Sequence, residues 1–216
     1  MLLPRTFDHV VIAVPDLARS VEQCESVLGV RPVEGGSHPG AGTANALLGL
    51  EVAGSPLIRG YLEILGPDPE QDPALAETRL AGVTEPIVQR WAVHPDDFDG
   101  LVAAAAVSND PPVDLGGVYD MSRRTPEGEV LDWRLTRRTP LALGGVQPFL
   151  IDWKGSPHPA EQDLPRVTLD QFWATSPDPG AVRAVLATLD ARIEVEEGEV
   201  DALYVRLEGP GGQWIL

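Results

Sequence analysis

Cysteine is almost absent from this chain: Cys24 is the only one in 216 residues. An intrachain disulfide is therefore excluded, as is any zinc or iron–sulfur centre held by several cysteines of one chain. Cys24 itself falls on an apolar helical stripe and reads as a small buried hydrophobe. Lysine is equally scarce, with Lys154 alone, so positive charge rests on arginine. Positive charge of any kind is outnumbered, 16 Lys and Arg against 33 Asp and Glu, for a formal net charge of −17. Such a surface repels phosphate backbones and anionic lipid heads, which argues against nucleic acid and membrane as partners. No apolar run approaches the length that spans a bilayer. The opening MLLPRTFDHV lacks a basic segment followed by a long apolar one, so no signal peptide is read there and a cytoplasmic location is expected. No G-x-S-x-G elbow occurs. The glycine-rich stretch GGSHPGAGTANALLGL (35–50) lacks the Lys-Ser/Thr of a phosphate loop and reads as a turn between strands.

What is present is a repeated device. FDHVVIAVPD (7–16), IVQRWAVHPD (87–96) and LDQFWATSPD (169–178) share one frame, with His9 standing where the later copies have Gln89 and Gln171. A helical stripe follows each copy: Leu17, Val21, Cys24 and Leu28; Phe98, Leu101, Val102 and Ala105; Val182, Val185, Leu186 and Leu189. Aspartate beside each helix start can cap free amides, and the preceding proline ends the strand. Three short strand candidates then follow each helix, among them TANALLGL, YLEIL, EVLDWRLTRR, FLIDW and ALYVRLEG. The chain is thus predicted to be α+β, with tandem βαβββ modules at 1–66 and 84–153 and a third, partial module at 166–216. A curved mixed sheet would carry the helices on its outside. Pro- and acid-rich connectors separate the modules, the first holding a short helix around Ala74 to Leu80.

Strand alternation sorts the side chains. Val10, Ile12 and Val14 share the face that suits helix packing, which leaves His9 on the other. In YLEIL the same rule puts Glu63 with Tyr61 and Leu65, opposite Leu62 and Ile64. A carboxylate among such neighbours is costly to bury without a partner. A histidine nitrogen and a carboxylate oxygen together suit Zn, Ni, Mn or Fe(II). The alternative is that His9 and Glu63 bond each other, or an arginine, and hold no metal.

A repeated βαβββ unit headed by DHVVIAVPDL and closed by YLEILGPD resembles the vicinal oxygen chelate superfamily. Within it the closest resemblance is to the glyoxalase-like domain family, through the HPG, NALL, YLE, GPDP and FLIDW segments. The resemblance covers most of the chain and implies a sheet-lined cup, with a divalent metal held by the first and last strands of each module. Carried over residue by residue, it implies His9, Glu63, Gln89 and Asp152 as metal ligands, with Asp132 the rival of Asp152. Glu63 is also the implied catalytic base if it leaves the metal. Tyr61, Trp91, His38 and Asn45 are the expected substrate contacts, Trp91 because it shares a face with Gln89. Arg123, Arg124, Arg134, Arg137 and Arg138 could hold a substrate carboxylate, but are read here as balancing nearby surface acids. His94 and His158 are assigned nothing beyond solvated positions. The resemblance implies a metal-dependent lyase, isomerase or dioxygenase acting on a small oxygenated metabolite, with no organic cofactor. Its alternative is a metal-free protein that sequesters a small molecule in the same cup. A homodimer is an assembly the sequence allows, because the edge of an unpaired third module invites strand pairing.

Overall fold

The computed structural model describes residues 3–52, 54, 59–125 and 128–216. In chain order these form β1 (Phe7–Ala13), α1 (Leu17–Leu28), β2 (Val33–His38), β3 (Thr43–Val52) and β4 (Arg59–Pro67). Then come α2 (Pro73–Leu80), β5 (Ile87–Val93), α3 (Phe98–Val107), β6 (Gly117–Arg124), β7 (Val130–Arg137) and β8 (Phe149–Asp152). The last stretch holds β9 (Arg166–Ser176), α4 (Pro179–Thr188), β10 (Glu194–Glu197), β11 (Ala202–Gly209) and β12 (Gly212–Ile215). The class is α+β with a curved mixed sheet, as the strand and helix periodicities require.

The recurring aspartates do start the helices, with one shift of frame. Asp16 accepts from the amide of Arg19 and Asp178 from that of Ala181. In the middle copy it is Asp97, one residue beyond the expected Asp96, that accepts from Gly100. Each such cap satisfies an amide that would otherwise lack a partner at the helix start.

Strands from the first two stretches close into a ring. The hydrogen-bonded order is β3–β2–β6–β7–β8–β5–β1–β4, and β4 returns to β3. Pairing is antiparallel except where β1 meets β4 and β5 meets β8. Eight strands leave an interior just wide enough for side chains and one small ligand. The outer face packs Val10, Ile12, Leu62 and Ile64 with Cys24 and Leu28 of α1. The inner face carries a separate cluster that includes Leu47, Tyr61, Ala92, Leu131, Trp133, Ile151 and Trp153. The last stretch branches from the ring where β9 runs parallel to residues Gly49–Val52 of β3. Further along, at Trp173–Thr175, β9 lies between β10 and β11, whereas β1 pairs with β4 and β5 with β8. The third stretch therefore keeps the order of elements of the other two and departs from their pairing.

The ring's thinnest seam is β2 against β6, a single register pair of Ser37 with Arg124. Gly36 makes that approach feasible: its φ is +131, and a Cβ there would run into the carbonyl oxygen of Arg124. Gly36→Ala is expected to lower stability by about 2 kcal/mol, since an alanine must leave this conformation or part the strands. A urea denaturation midpoint equal to wild type would show that the seam does not depend on this glycine.

Candidate functional site

The ring encloses a cavity of about 920 Å³, counted with its open mouth. His9 and Glu63 face into it from adjacent parallel strands, where Val11 is paired with Glu63 and His9 with Tyr61. The regular register here preserves the alternation read from sequence, so both side chains point inward with Tyr61. His9 Nε2 lies 3.6 Å from Glu63 Oε2, and its ring stacks on Tyr61 at 4.5 Å.

Behind His9 stands Asp8, 1% exposed. A register shift between Phe7 and His9 in the β1–β5 pairing accompanies the contact of these consecutive side chains, at 2.6 Å between Nδ1 and Oδ1. The other carboxylate oxygen of Asp8 accepts from Trp153 Nε1 at 2.9 Å and meets His158 Nε2 at 3.0 Å. Burial pushes the Asp8 pKa up, but the bonds from His158 and His9 outweigh it and hold the carboxyl well below its usual range. An ionised Asp8 can only accept, so His9 Nδ1 carries a proton and Nε2 is presented to the cavity. His158, expected to be merely solvated, is thus tied to the core, and His94 lies parallel to it at 6.4 Å between ring centroids.

Glu63 is held on its other side. Asn45 Nδ2 donates to Oε1 at 2.6 Å, and His38 Nε2 is 3.9 Å from the same oxygen. Burial raises the Glu63 pKa, while His9, His38, the Asn45 bond and Arg90 together bring it below the ordinary value. Burial pulls the His38 pKa down to about 4, opposed by Glu63 and assisted by Arg79, Arg123 and Arg90, so this ring is neutral at neutral pH. His38, expected at a rim, is 4% exposed and anchored through Nδ1 to Thr43 Oγ1 at 3.1 Å.

Three expected positions lie elsewhere. Trp91 does not line the cavity; it is fully buried on the outer face, donates to the carbonyl of Val146 at 2.8 Å and packs on Phe172. Gln89 also fails to face the cavity, its Nε2 instead donating to the carbonyl of Arg79 at 2.8 Å. The register decides this: Trp91 pairs with outward Val10 and Arg90 with inward Val11, so alternation itself puts residues 89 and 91 on the outer face. Gln89 is the extra residue of a bulge between the Val11–Arg90 and Ile12–Val88 pairs. Arg90 and Ala92 take the inward places. Asp152 is turned outward too, where Arg134 Nε donates to it at 2.7 Å, while Ile151 and Trp153 face the cavity. Its rival Asp132 is exposed, between inward Leu131 and Trp133.

The donor set therefore does not fit the implied metal. Of His9, Glu63, Gln89 and Asp152 only the first two face one another, and among the described residues no group of three or more His, Cys, Asp or Glu is placed to hold an ion. Arginines stand where further ligands would: Arg79, Arg90, Arg123, Arg137 and Arg138 all line the cavity. The surface-balancing reading fits Arg134, bound to Asp99 and Asp152, and Arg138, bound to Asp114. Arg123 is 4% exposed and bonds Asn45 Oδ1, so for it that reading is corrected. Arg79 and Arg90 were not singled out by sequence at all. Tyr61, Trp133, Phe149, Ile151 and Trp153 give the same cavity an apolar lining.

Residues 7–189 match the family model described as "Glyoxalase-like domain". No curated protein matches the sequence. Among solved structures, a hypothetical protein from Staphylococcus aureus is 17% identical, with a TM-score of 0.62 over 97% of this chain and 84% of that one. That likeness is one of fold. A methylmalonyl-CoA epimerase of Streptomyces coelicolor, in complex with 2-nitronate-propionyl-CoA, is 25% identical over 72% of this chain and 99% of that one, with a TM-score of 0.49. The methylmalonyl-CoA epimerase of Mycobacterium tuberculosis is 23% identical over 70% and 90%, with a TM-score of 0.41. Likenesses of that degree carry nothing about this chain's chemistry. No helix among the described residues is long and apolar enough to cross a membrane. With the family model running from the first strand of the barrel through α4, the chain belongs to the glyoxalase-like domain family of the vicinal oxygen chelate superfamily.

Proposed function

We propose that the chain binds a small oxygenated metabolite in the barrel cavity and moves a proton on it, with Glu63 as the base. The observation that carries this reading is a carboxylate, largely shielded from solvent, that faces the barrel cavity between two histidines and several guanidinium groups. In the reaction, Glu63 takes a proton from carbon beside a carbonyl. The electron pair left behind moves onto the carbonyl oxygen, and the arginines meet the charge that develops there. Returning the proton to the same or a neighbouring carbon gives epimerisation or isomerisation; loss of a leaving group instead gives a lyase. A carboxylate held below its usual pKa is a weak base, so the step depends on that stabilisation of the product anion. Asp8 holds the His9 ring through Nδ1, which aims Nε2 at Glu63 and the ligand. No step is assigned to a metal, because the donor set lacks the third and fourth ligands.

The test is a panel of dicarbonyls, hydroxyketones and diols incubated with the protein in deuterium oxide. Deuterium entering the carbon next to the carbonyl is the expected result, unaffected by adding Zn, Ni, Mn or Fe(II). Exchange that starts only on adding one of those ions would replace this reading with the metal-dependent one. The aromatic wall of Tyr61, Trp133 and Trp153 favours a second reading, metal-free sequestration, whose signature is tight binding with no exchange. If exchange occurs, its rate should stay flat from pH 8 down to about pH 5 and fall only below the ordinary glutamate value, since Glu63 stays ionised above it. A cytoplasmic homodimer belongs to the same proposal, supported by the edges of β10 and β12, which among the described residues pair only with β9 and β11. A sedimentation run that gives only monomer at micromolar concentration would remove the dimer.

A further inference from the structure

We infer that the metabolite taken by this cavity is a small dianion, whose charged groups are received by Arg79, Arg90, Arg123 and Arg137. This rests on the cavity being the ligand site proposed above and names the class of ligand. All four guanidinium groups line the cavity. Among the described residues none of the four lies within 4.0 Å of a carboxylate, whereas Arg134, Arg138 and Arg206 each do. Their contacts inside the protein are few and neutral. Arg79 donates to Thr43 Oγ1 at 3.1 Å and Arg123 to Asn45 Oδ1 at 3.2 Å. Arg90 lies over the Phe149 ring at 5.8 Å and Arg137 over Tyr119 at 4.1 Å. The Nε atoms of Arg90 and Arg123 are buried with no hydrogen-bond partner.

Buried cations are normally paired, and an orphaned guanidinium is expensive. Arg123, buried, and the half-buried Arg79, Arg90 and Arg137 stand here against one lining carboxylate among the described residues, Glu63, which leaves three positive charges without an internal counterpart. The surrounding protein has the opposite sign, with a net charge of −17. One excess negative charge on a ligand would leave the cavity cationic; two bring it near balance. The planar fork of each guanidinium matches the two oxygens of a carboxylate or a phosphate. The apolar lining of the same cavity accepts a short carbon body. Burial, with Arg90 and Arg137 beside it, already lowers the Arg79 pKa to about 10. Those mutual repulsions are what a bound dianion relieves.

The test is calorimetric titration and thermal unfolding of the full chain at low salt, with malonate, succinate, a phosphate monoester, inorganic phosphate and neutral dimethyl malonate. The same probes are run on Arg90→Gln and Arg123→Gln. The expected result is binding of at least one dianion, a rise in Tm of several degrees, and no binding of the neutral ester. Each variant should bind about ten-fold more weakly or worse, and affinity should fall with added sodium chloride. The carboxylate and phosphate arms separate the two sources of dianion. Without ligand the variants should unfold at or above the wild-type temperature, because an unpaired buried charge has been removed; a clear drop would mark these arginines as structural supports and overturn the inference. Dianions that bind wild type and variants equally would also overturn it. Neutral dicarbonyls binding where dianions do not would sink the inference and leave the cavity standing as a ligand site. If no compound of either kind binds, both fall together.

Discussion

Asp8→Asn should be the most destabilising conservative change in the first strand, by about 3 kcal/mol. The carboxylate is 1% exposed and accepts from Trp153 and His9, with His158 Nε2 at its second oxygen. An asparagine keeps the shape but turns an NH2 group toward at least one of those donors, leaving buried polar atoms unmatched. The loss should depend on pH with a definite sign. The folded-state pKa of Asp8 is depressed, so its stabilisation is fully present above the unfolded value of about 3.9 and drains away as pH falls through the folded one. The gap between wild type and variant in urea should therefore be constant from about pH 5 to pH 7 and shrink below about pH 4. A gap that persists unchanged to pH 2 would mean that the carboxylate charge is not what holds this corner together.

Glu63→Gln should lower proton exchange by about a thousand-fold, the usual scale for removing a general base. Its effect on binding should run the other way. Removing the only carboxylate that lines the cavity among the described residues adds one more uncompensated positive charge, so a dianion should bind as tightly as to wild type or more tightly. Fold loss is separable from both, because glutamine can still accept from Asn45 Nδ2. Exchange that survives the substitution within ten-fold would move the base elsewhere, with His9 Nε2 the nearest alternative at 3.6 Å from Oε2.

Where strands are regular, one sequence was enough to orient side chains. His9, Tyr61 and Glu63 face inward as alternation requires, because β1 and β4 run in unbroken parallel register from His9 to Ala13. At Gln89 and Trp91 alternation held, but the shared face is the outer one. Trp91 pairs with outward Val10, which puts residue 89 on the outer face as well, and Gly145, at φ +97, fits so close to the carbonyl of Gln89 that no Cβ could be accommodated. That contact joins residues far apart in the chain, and no short window of sequence contains it. Asp152 failed by one place: in so short a strand as β8, the rule that puts Ile151 inside must put Asp152 outside.

The arginine lining was legible only in part. Arg123 and Arg137 stand among the arginines weighed as holders of a substrate carboxylate and read instead as surface balance, while Arg79 and Arg90 are not singled out by sequence. Arg79 comes from α2, Arg90 from β5, Arg123 from β6 and Arg137 from β7, so only ring closure assembles them. Asp8 did carry a signal. A carboxylate beside His9 in the otherwise apolar FDHVVIA needs a buried partner, and the indole of Trp153 supplies one from the far end of the second stretch.

The five tryptophans provide the most direct test that the cavity around Glu63 is where a small dianion binds. Trp133 and Trp153 line it, Trp91 and Trp214 are buried on the outer face, and Trp173 stacks on Tyr204 in the third stretch. The five indole N–H signals of nitrogen-15-labelled protein, assigned by single Trp→Phe variants, can be followed while the tightest-binding dianion is titrated at low salt. The expected result is a saturable shift of the Trp133 and Trp153 signals, with Trp91, Trp173 and Trp214 unmoved, and loss of the response in Arg90→Gln. Saturable shifts confined to Trp173 or Trp214, with Trp133 and Trp153 silent, would place binding outside the barrel and contradict the account.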